Sequence, residues 1–517
     1  MFLFKELSRL PSVTVIRETS LSDRIDAGYY HTSHLDQLNK VIKNKHFKLN
    51  ELADVTKLSG FEFSEHFSKA EADSKEIPCI MSQNVRENEI DLASTTFISE
   101  KTHQTLSRSQ LKAGDVALSY TGHYRRAAVI KASDCPIHLG PNVCKLSPKN
   151  VDPYFVATYL NSLHGQALLD REKTISAQPT VNMARIRELP IFYVADVAQK
   201  YIGDKVRQAE QLRTWAKGLL ASVDEKLNGL NLPINEPPQL LNRVSAQTME
   251  DRLDPRPYRS HFLHLVSEIE KLPHDSISSV VRLASGCPVS SKDFLENAGI
   301  PLVRIRNIGF DDFIGLDTGV SKDVYQDASK YQAKEKMVVV GMDGIFRSQF
   351  FVADELPMLV NQRVAMLVPQ KIRGELLTHW LNRPEGQMQL NQWAVKTTVE
   401  HTSLSDIGRV FIPRLDERLE NELADDLLNA RLAYRYAKFL TQAAKTLVEA
   451  LIEGQLTEQQ LIQAQQALED GDNSFDQAIL SKLSNAGYAI DGATPLFSDI
   501  DELYRLLESA AQAEAEE

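Results

Sequence analysis

The stretch "SDRIDAGYYHTSHLDQLNKVI" from Ser22 returns as "EDRLDPRPYRSHFLHLVSEIE" from Glu250. An internal repeat of this length limits the architecture more than any local propensity, because each copy has to solve the same burial problem. Asp23, Arg24, Asp26, Tyr30 and Leu35 fall on Asp251, Arg252, Asp254, Tyr258 and Leu263 at one offset, and the register continues with small slips. "ADVTKLSG" ending at Gly60 answers "SSVVRLASG" ending at Gly286, "IPCIMSQNV" answers "IPLVRIRNI", and "TGHYRRAAVI" answers "DGIFRSQFFV". "GPNVCKLSP" then answers "VNQRVAMLVP", "YLNSLHGQ" answers "WLNRPEGQ", and "QAEQLRTWAKGLL" answers "NARLAYRYAKFLT". Order kept over so many blocks means one plan built twice.

Each copy has two parts. Residues 49–194 and 275–415 are rich in short alternating or β-branched runs such as "DVALSY" and "MVVVG", broken by Gly, Pro, Asn and Asp, so each predicts a mixed α/β module on a curved sheet. "DPYFVATYLNSLHGQALL" and "RGELLTHWLNRPEGQMQL" read as short helices within them. Each module is followed by a long helix, 195–230 and 416–452, with an apolar stripe at threes and fours: Val206, Ala209, Leu212 and Ala216 in the first, Leu423, Leu427, Ala430 and Tyr434 in the second. Two such stripes hide from water by facing each other as an antiparallel coiled coil, or by packing on their own modules. Residues 1–48 form a leading segment that carries the first copy of the repeat, and 231–274 join a Pro- and Asn-rich linker to the second. Residues 453–517, opening with Thr457 and Gln460 at capping-box spacing, read as a helical tail with no counterpart after the first copy, either a solvated cap or a docking surface.

A chain of 517 residues can bury two or more cores, and no apolar run approaches membrane-spanning length. The opening "MFLFKELSRL" is too soon interrupted by charge for a secretory signal, so a cytoplasmic location is expected. Cys79, Cys135, Cys144 and Cys287 form no C-x-x-C pair and read as reduced, mostly buried thiols. The net charge of -12 sits in the tail, where 14 acidic residues face only Lys482 and Arg505; the rest of the chain holds 56 basic and 56 acidic side chains (58 - 2 and 70 - 14). Attraction to phosphate depends on local clusters, so nucleic acid is not excluded.

Catalytic motifs are absent. The closest approach to an Asn/Asp-Pro-Pro-aromatic loop is "DPRPY" at Asp254, which the first copy replaces by "DAGYY", and no G-x-G-x-x-G or P-loop is present. Asp224 to Lys226 ("DEK") fits a nuclease spacing but lies on the long helix, where it reads as solvated surface, and His123 is as well placed for a loop role as for a base. The chain is expected to be no enzyme and to hold no cofactor or metal. Its polar loops suit base edges and phosphates instead. Lys101, Arg108, Lys112, Arg125, Arg126, Lys131, Lys145 and Lys149 face only Asp115 and Asp134 between residues 101 and 149. Arg reaches O6 and N7 of guanine together, and Asn or Gln reaches N6 and N7 of adenine. The candidates are Asn84, Arg86, Tyr124, Arg125 and Arg126 in the first copy, and Arg304, Arg306, Asn307, Arg347, Gln349, Gln362 and Arg363 in the second. Gly122 and Gly344 shape loops.

The duplicated plan, with its "I-P-x-x-x-x-x-N-[VI]" and "L-N-[SR]-x-x-G-Q" blocks and its two long helices, resembles the DNA specificity subunit of Type I restriction-modification systems over residues 23 to 452. The resemblance implies two target recognition domains in pseudo-twofold arrangement on double-stranded DNA, one for each half of a split site, with the helices as the ruler between them. It also implies that the chain is without catalytic residues and docks two N6-adenine methyltransferase subunits. S-adenosylmethionine would then sit on those partners, and ATP on the restriction subunits of a full complex. The leading segments and the acidic tail depart from the usual pattern and leave room for a related phage-defence or DNA-modification complex. A self-contained methyltransferase or nuclease, or a scaffold for two protein partners, are the competing readings. Only Arg125 with Arg347 and Asn84 with Asn307 keep identity and place, while Arg86 against Gly309, Tyr124 against Phe346 and Arg126 against Ser348 diverge, so two different half-sites are expected.

Overall fold

The computed structural model describes residues 21, 24, 26–67, 74–122, 125–174, 177–237, 239, 241–250, 252–396 and 399–516. Asp23, His123, Tyr124 and Asp251 lie outside them. The chain divides into two compact units, one of Met1–Leu212 with Arg435–Glu517 and the other of Arg213–Tyr434.

Both modules carry the same pair of sheets. In the first, Ala53–Lys57, Val143–Pro148, Val116–Ser119 and Ala127–Val129 run antiparallel in that order; in the second, Val281–Ser285, Val364–Pro369, Val338–Gly341 and Ser348–Phe350 do so. The registers match, with Lys145 opposite Ala117 and Met366 opposite Val339. The strands Val116–Ser119 and Val338–Gly341 are buried throughout. Period-2 alternation tells why. Val338 and Val340 point into one core with Leu377 and Trp380, while Val339 points into another with Val303, Phe351 and Val360. The second sheet of each module contains a parallel pair, central in the first module (Ile77–Ile80 with Ile137–Leu139) and at one edge in the second (Ile300–Val303 with Leu359–Val360).

The expected short helices are pairs in each module: Pro153–Asn161 with Leu163–Arg171, and Gly374–Asn382 with Pro384–Trp393. The first starts on Asp152, whose carboxylate accepts from the Tyr154 and Phe155 amides, with Pro153 at the first helical position. The repeated "L-N-x-x-x-G-Q" block is explained by this joint. A Cβ on Gly165 would lie 2.1 Å from the Tyr159 carbonyl oxygen, and one on Gly386 would lie 2.2 Å from that of Trp380. Gln166 donates to the carbonyls of Leu160 and Arg125, and Gln387 to those of Leu381 and Phe346. Asn161 and Asn382 each grip a strand edge from both sides, at Ala127 and Ser348.

The repeated opening phrase is also a fold element. Arg24 Nε donates to Asp26 at 2.7 Å, the Tyr30 hydroxyl donates to the Arg24 carbonyl, and the Arg24 guanidinium reaches the Arg171 and Lys173 carbonyls. Arg252 donates to Asp254 at 2.7 Å, Tyr258 donates to the Arg252 carbonyl, and Arg252 reaches the Trp393 carbonyl. The same Arg–Asp–Tyr clasp therefore ties each leading helix, Thr32–Ile42 or Ser260–Ile269, to the C-terminal end of the second helix of its module, where a cation meets orphan carbonyls.

The long helices are α1 (Asp196–Asn228) and α2 (Glu417–Glu453). Each gives one half to each unit, so every module is closed by helix from both copies. In the second unit Val223 and Leu227 of α1 share a cluster with Leu423, Ala424 and Leu427 of α2 and with Leu376 of the module, and Lys226 pairs with Glu422 at 2.6 Å. The stripes thus pack on each other and on the module at once. In the first unit Glu449 of α2 accepts the Leu163 amide, and Glu453 pairs with Lys40 of the leading helix at 2.7 Å.

The tail comprises α3 (Glu458–Glu469), α4 (Ser474–Leu480) and α5 (Ile500–Glu516), and adds a hairpin, Leu483–Ser484 with Gly487–Tyr488, that the all-helical expectation did not contain. It is not a solvated appendage. Asp476, fully buried, lies 2.6 Å from the buried amine of Lys205 and accepts from the hydroxyls of Tyr201 and Tyr504. Burial alone would raise the Asp476 carboxyl, but Lys205 and the hydroxyls hold it below the usual range. Its capping box at Thr457 and Gln460 is as the sequence predicts. All four cysteines are free; Cys79 and Cys144 are buried with thiols pushed up to about 12, and Cys135 and Cys287 are half-buried. Among the described residues no helix is long and apolar enough to cross a membrane.

Candidate nucleic-acid interface

Two loops of each module carry the candidates. The first follows the parallel strand and is built by an asparagine. The Asn84 amide oxygen accepts the Met81 amide and its nitrogen donates to the Asp91 carbonyl; in the second copy Asn307 accepts from Arg304 and donates to Ile314 and Gly315. Both asparagines are buried. Their amides, put forward as candidates for contact with DNA, close the turn on backbone partners. What the turn displays differs between copies. Arg86 is half exposed and reaches Asp91 at 3.3 Å. Arg306 is 56% exposed and paired with Asp317, while Arg304 donates to Thr318 at 2.6 Å and lies over the Phe294 ring.

The second loop is the glycine turn. Gly122 and Gly344 adopt φ of +95° and +75°, which makes them turn formers as expected. Arg125 beyond the first is buried and donates to Asp170 at 3.0 Å, so it braces the loop against the helix Leu163–Arg171 rather than facing outward. Arg347, its counterpart, is half-buried over the ring of Phe310 at 5.0 Å. Gln349 is buried and engaged with Phe310 and Phe350, which removes it from the outward-facing set. Arg126 is half-buried, and Arg363 is 61% exposed and sits 3.6 Å from Asp343.

The basic run of the first copy is partly internal. The Lys145 amine donates to the Arg108 and Gln110 carbonyls, and burial together with neighbouring Lys112 and Arg108 pulls it below the ordinary lysine range. Lys149 pairs with Asp54. Asp224 of the "DEK" triplet is not bare surface either: it holds His379 at 3.0 Å and Arg383, and the His379 hydrogen bond helps keep its carboxyl low. Among the described residues no group of three or more His, Cys, Asp or Glu is placed to hold a metal.

The structure thus leaves Arg86, Arg306 and Arg363 facing solvent. Beside them stand apolar side chains that sequence reasoning missed: Phe310 and Ile314, each 47% exposed, on the asparagine turn, and Ile345, 59% exposed, at the tip of the second glycine turn. The available signal was the register itself: Phe310 stands where the first copy has Glu87, and Ile345 where it has His123, so both are apolar at places the other copy fills with polar residues.

No protein-family model matches the chain, and no curated protein matches it. Among solved structures it is similar to the Type I restriction-modification system S subunit from M. genitalium, at 13% identity over 81% of this chain and 95% of that one, with a TM-score of 0.40. A chain solved in a study of complex assembly and conformational transition of the type I R-M system matches at 13% identity over 81% and 97%, with a TM-score of 0.26. The HsdS subunit from Thermoanaerobacter tengcongensis matches at 13% identity over 80% and 97%, also with a TM-score of 0.26.

Proposed function

We propose that this chain is the DNA specificity subunit of a Type I restriction-modification system or a related DNA-modification complex. Each module reads one half of a bipartite duplex site, and methyltransferase subunits, with restriction subunits in a full complex, supply the chemistry together with S-adenosylmethionine and ATP. One observation carries the reading. The two modules keep their scaffold residues, from the clasp to the turn asparagines, and change the outward side chains, with Arg86 where the second has Gly309 and Glu87 where it has Phe310. A duplicated frame with divergent tips is what two different half-sites require, because phosphate contacts position and base contacts specify. Exposed arginines beside apolar tips suit guanine and the thymine methyl.

The test is selection from randomised duplexes with the purified chain, with and without an N6-adenine methyltransferase subunit, followed by footprinting. The expected result is two protected blocks of unlike sequence around an unprotected spacer. One uninterrupted palindromic block would reject the bipartite reading, and no retention of DNA under either condition would reject the function.

A further inference from the structure

The second unit contains a cleft of about 480 Å³ between the end of α1, the start of α2, the helix Gly374–Asn382 and the loop at Phe310. Its walls include Leu220 and Asp224 of α1, Leu427 of α2, Thr378 of the module helix, and Phe310 and Asp311 of the loop. The internal repeat shows what such a place lacks. In the first unit the loop residue Glu87 is joined to α2 by Lys445 at 2.7 Å. On the register of the long helices Lys445 corresponds to Asp224, and on that of the asparagine turns Glu87 corresponds to Phe310. An aspartate and a phenylalanine cannot form that bridge. Where the first unit has a cation on an alkyl stem, the second has a cleft.

The groups left in it have a consistent chemistry. Arg383 and Arg431 line the cleft, but both are answered by carboxylates: Arg383 by Glu385 and Asp224, Arg431 by Glu355 and Asp312. Glu375 is paired with Arg373. Asp311 is exposed, and among the described residues its carboxylate has no ion partner. Phe310 presents an aromatic ring already attractive to one cation, Arg347. Leu220 and Leu427 supply apolar wall for a stem.

We propose that this cleft binds an alkylammonium group, a protonated amine on an aliphatic stem, with the charge at Asp311 and the Phe310 ring and the stem along Leu220 and Leu427. The volume falls in the range of small-ligand sites, about 300–1,000 Å³. The amine is either a free polyamine or the lysine side chain of a partner protein.

The full chain is titrated calorimetrically with spermidine and, separately, with Nα-acetyl-lysine methylamide. Saturable binding at one site is expected for at least one of them, and the tighter of the two identifies the source. Asp311→Asn should weaken it about two- to fivefold, the scale of an exposed ion pair. Phe310→Ala should weaken it about two- to fivefold, the scale of an exposed cation–π contact. Asp470→Asn, an exposed acid of the tail, should leave it unchanged. Binding that is indifferent to Asp311→Asn and Phe310→Ala would show diffuse attraction to an acidic chain and overturn the site. So would the lack of saturable heat with either amine up to about 10 mM, where any Kd below about 1 mM registers.

Discussion

At equivalent places the two units hold different chemistry. Where α1 of the first unit carries Tyr201 and Lys205 beneath the tail, α2 of the second carries Glu422 and Asp426. Where the first module buries His138 in its parallel strand pair, the second buries Leu359. These differences fall between clasps, turn asparagines and helix joints that are the same in both. Duplication therefore preserves what sets backbone path, and leaves free what fills the spaces between elements. It also explains why the tail packs in only one unit. Its buried Asp476 meets a lysine there, whereas the equivalent positions of the second copy, Glu422 and Asp426, are acids that would repel it.

The comparison breaks most visibly at Asp476. Asp476→Ala leaves the Lys205 ammonium buried without its partner and should destabilise the first unit by about 3–5 kcal/mol; Glu422→Ala, exposed in the second unit, should leave stability essentially unchanged. Calorimetric unfolding should show the first substitution lowering one transition while the second moves neither.

The clasps sharpen the likeness. Arg24→Ala and Arg252→Ala should each cost about 1.5–3 kcal/mol, the range for hydrogen bonds of charged groups. Amide exchange should accelerate in Thr32–Ile42 for the first and in Ser260–Ile269 for the second, each without effect on the other. Equal effects at both helices from one substitution would mean the clasps are not independent.

Acid should separate the units. His138 is held neutral by burial, then by His103 and Lys145, with its pKa pulled down to about 4. A depressed histidine contributes stability that is present above its unfolded value of about 6.5 and is lost as pH falls toward the folded value, because the unfolded chain takes up the proton first. The first unit should therefore weaken between about pH 6.5 and 4 more than the second does, and His138→Leu, the residue of the other copy, should flatten that dependence in thermal melts.

The smallest effect on stability, though not on recognition, belongs to the exposed arginines. Arg306→Ala and Arg363→Ala should leave melting within about 0.5 kcal/mol. If either contacts a guanine edge, binding to the selected site should fall by about 1–3 kcal/mol with relaxed preference at one base pair, read from titrations on variant duplexes.

Much of this was legible beforehand, because the repeat compares a sequence with itself. The long helices, the sheet-rich modules, the capping box at Thr457 and the turn role of Gly122 and Gly344 follow from periodicity, spacing and backbone chemistry. The candidate contacts were legible only in part. Asn84 and Asn307 were singled out because they are the same in both copies, yet that identity comes from closing a turn. Arg125 looked like a loop cation and is buried on Asp170. A string of residues gives side-chain type, but exposure depends on which elements close over the loop.

That one α/β frame is made twice, with a long helix after each copy, follows from the order of residues alone, since hydrophobic period and turn residues act locally and repeat with the chain. It took the folded arrangement to set each module against helix from both copies, to lock the tail with a buried ion pair, and to leave a cleft at Asp224 and Phe310 where Lys445 and Glu87 form a bridge. Those outcomes depend on pairings between residues far apart in the chain, and the energy of a charge is set by the partner and burial it meets there.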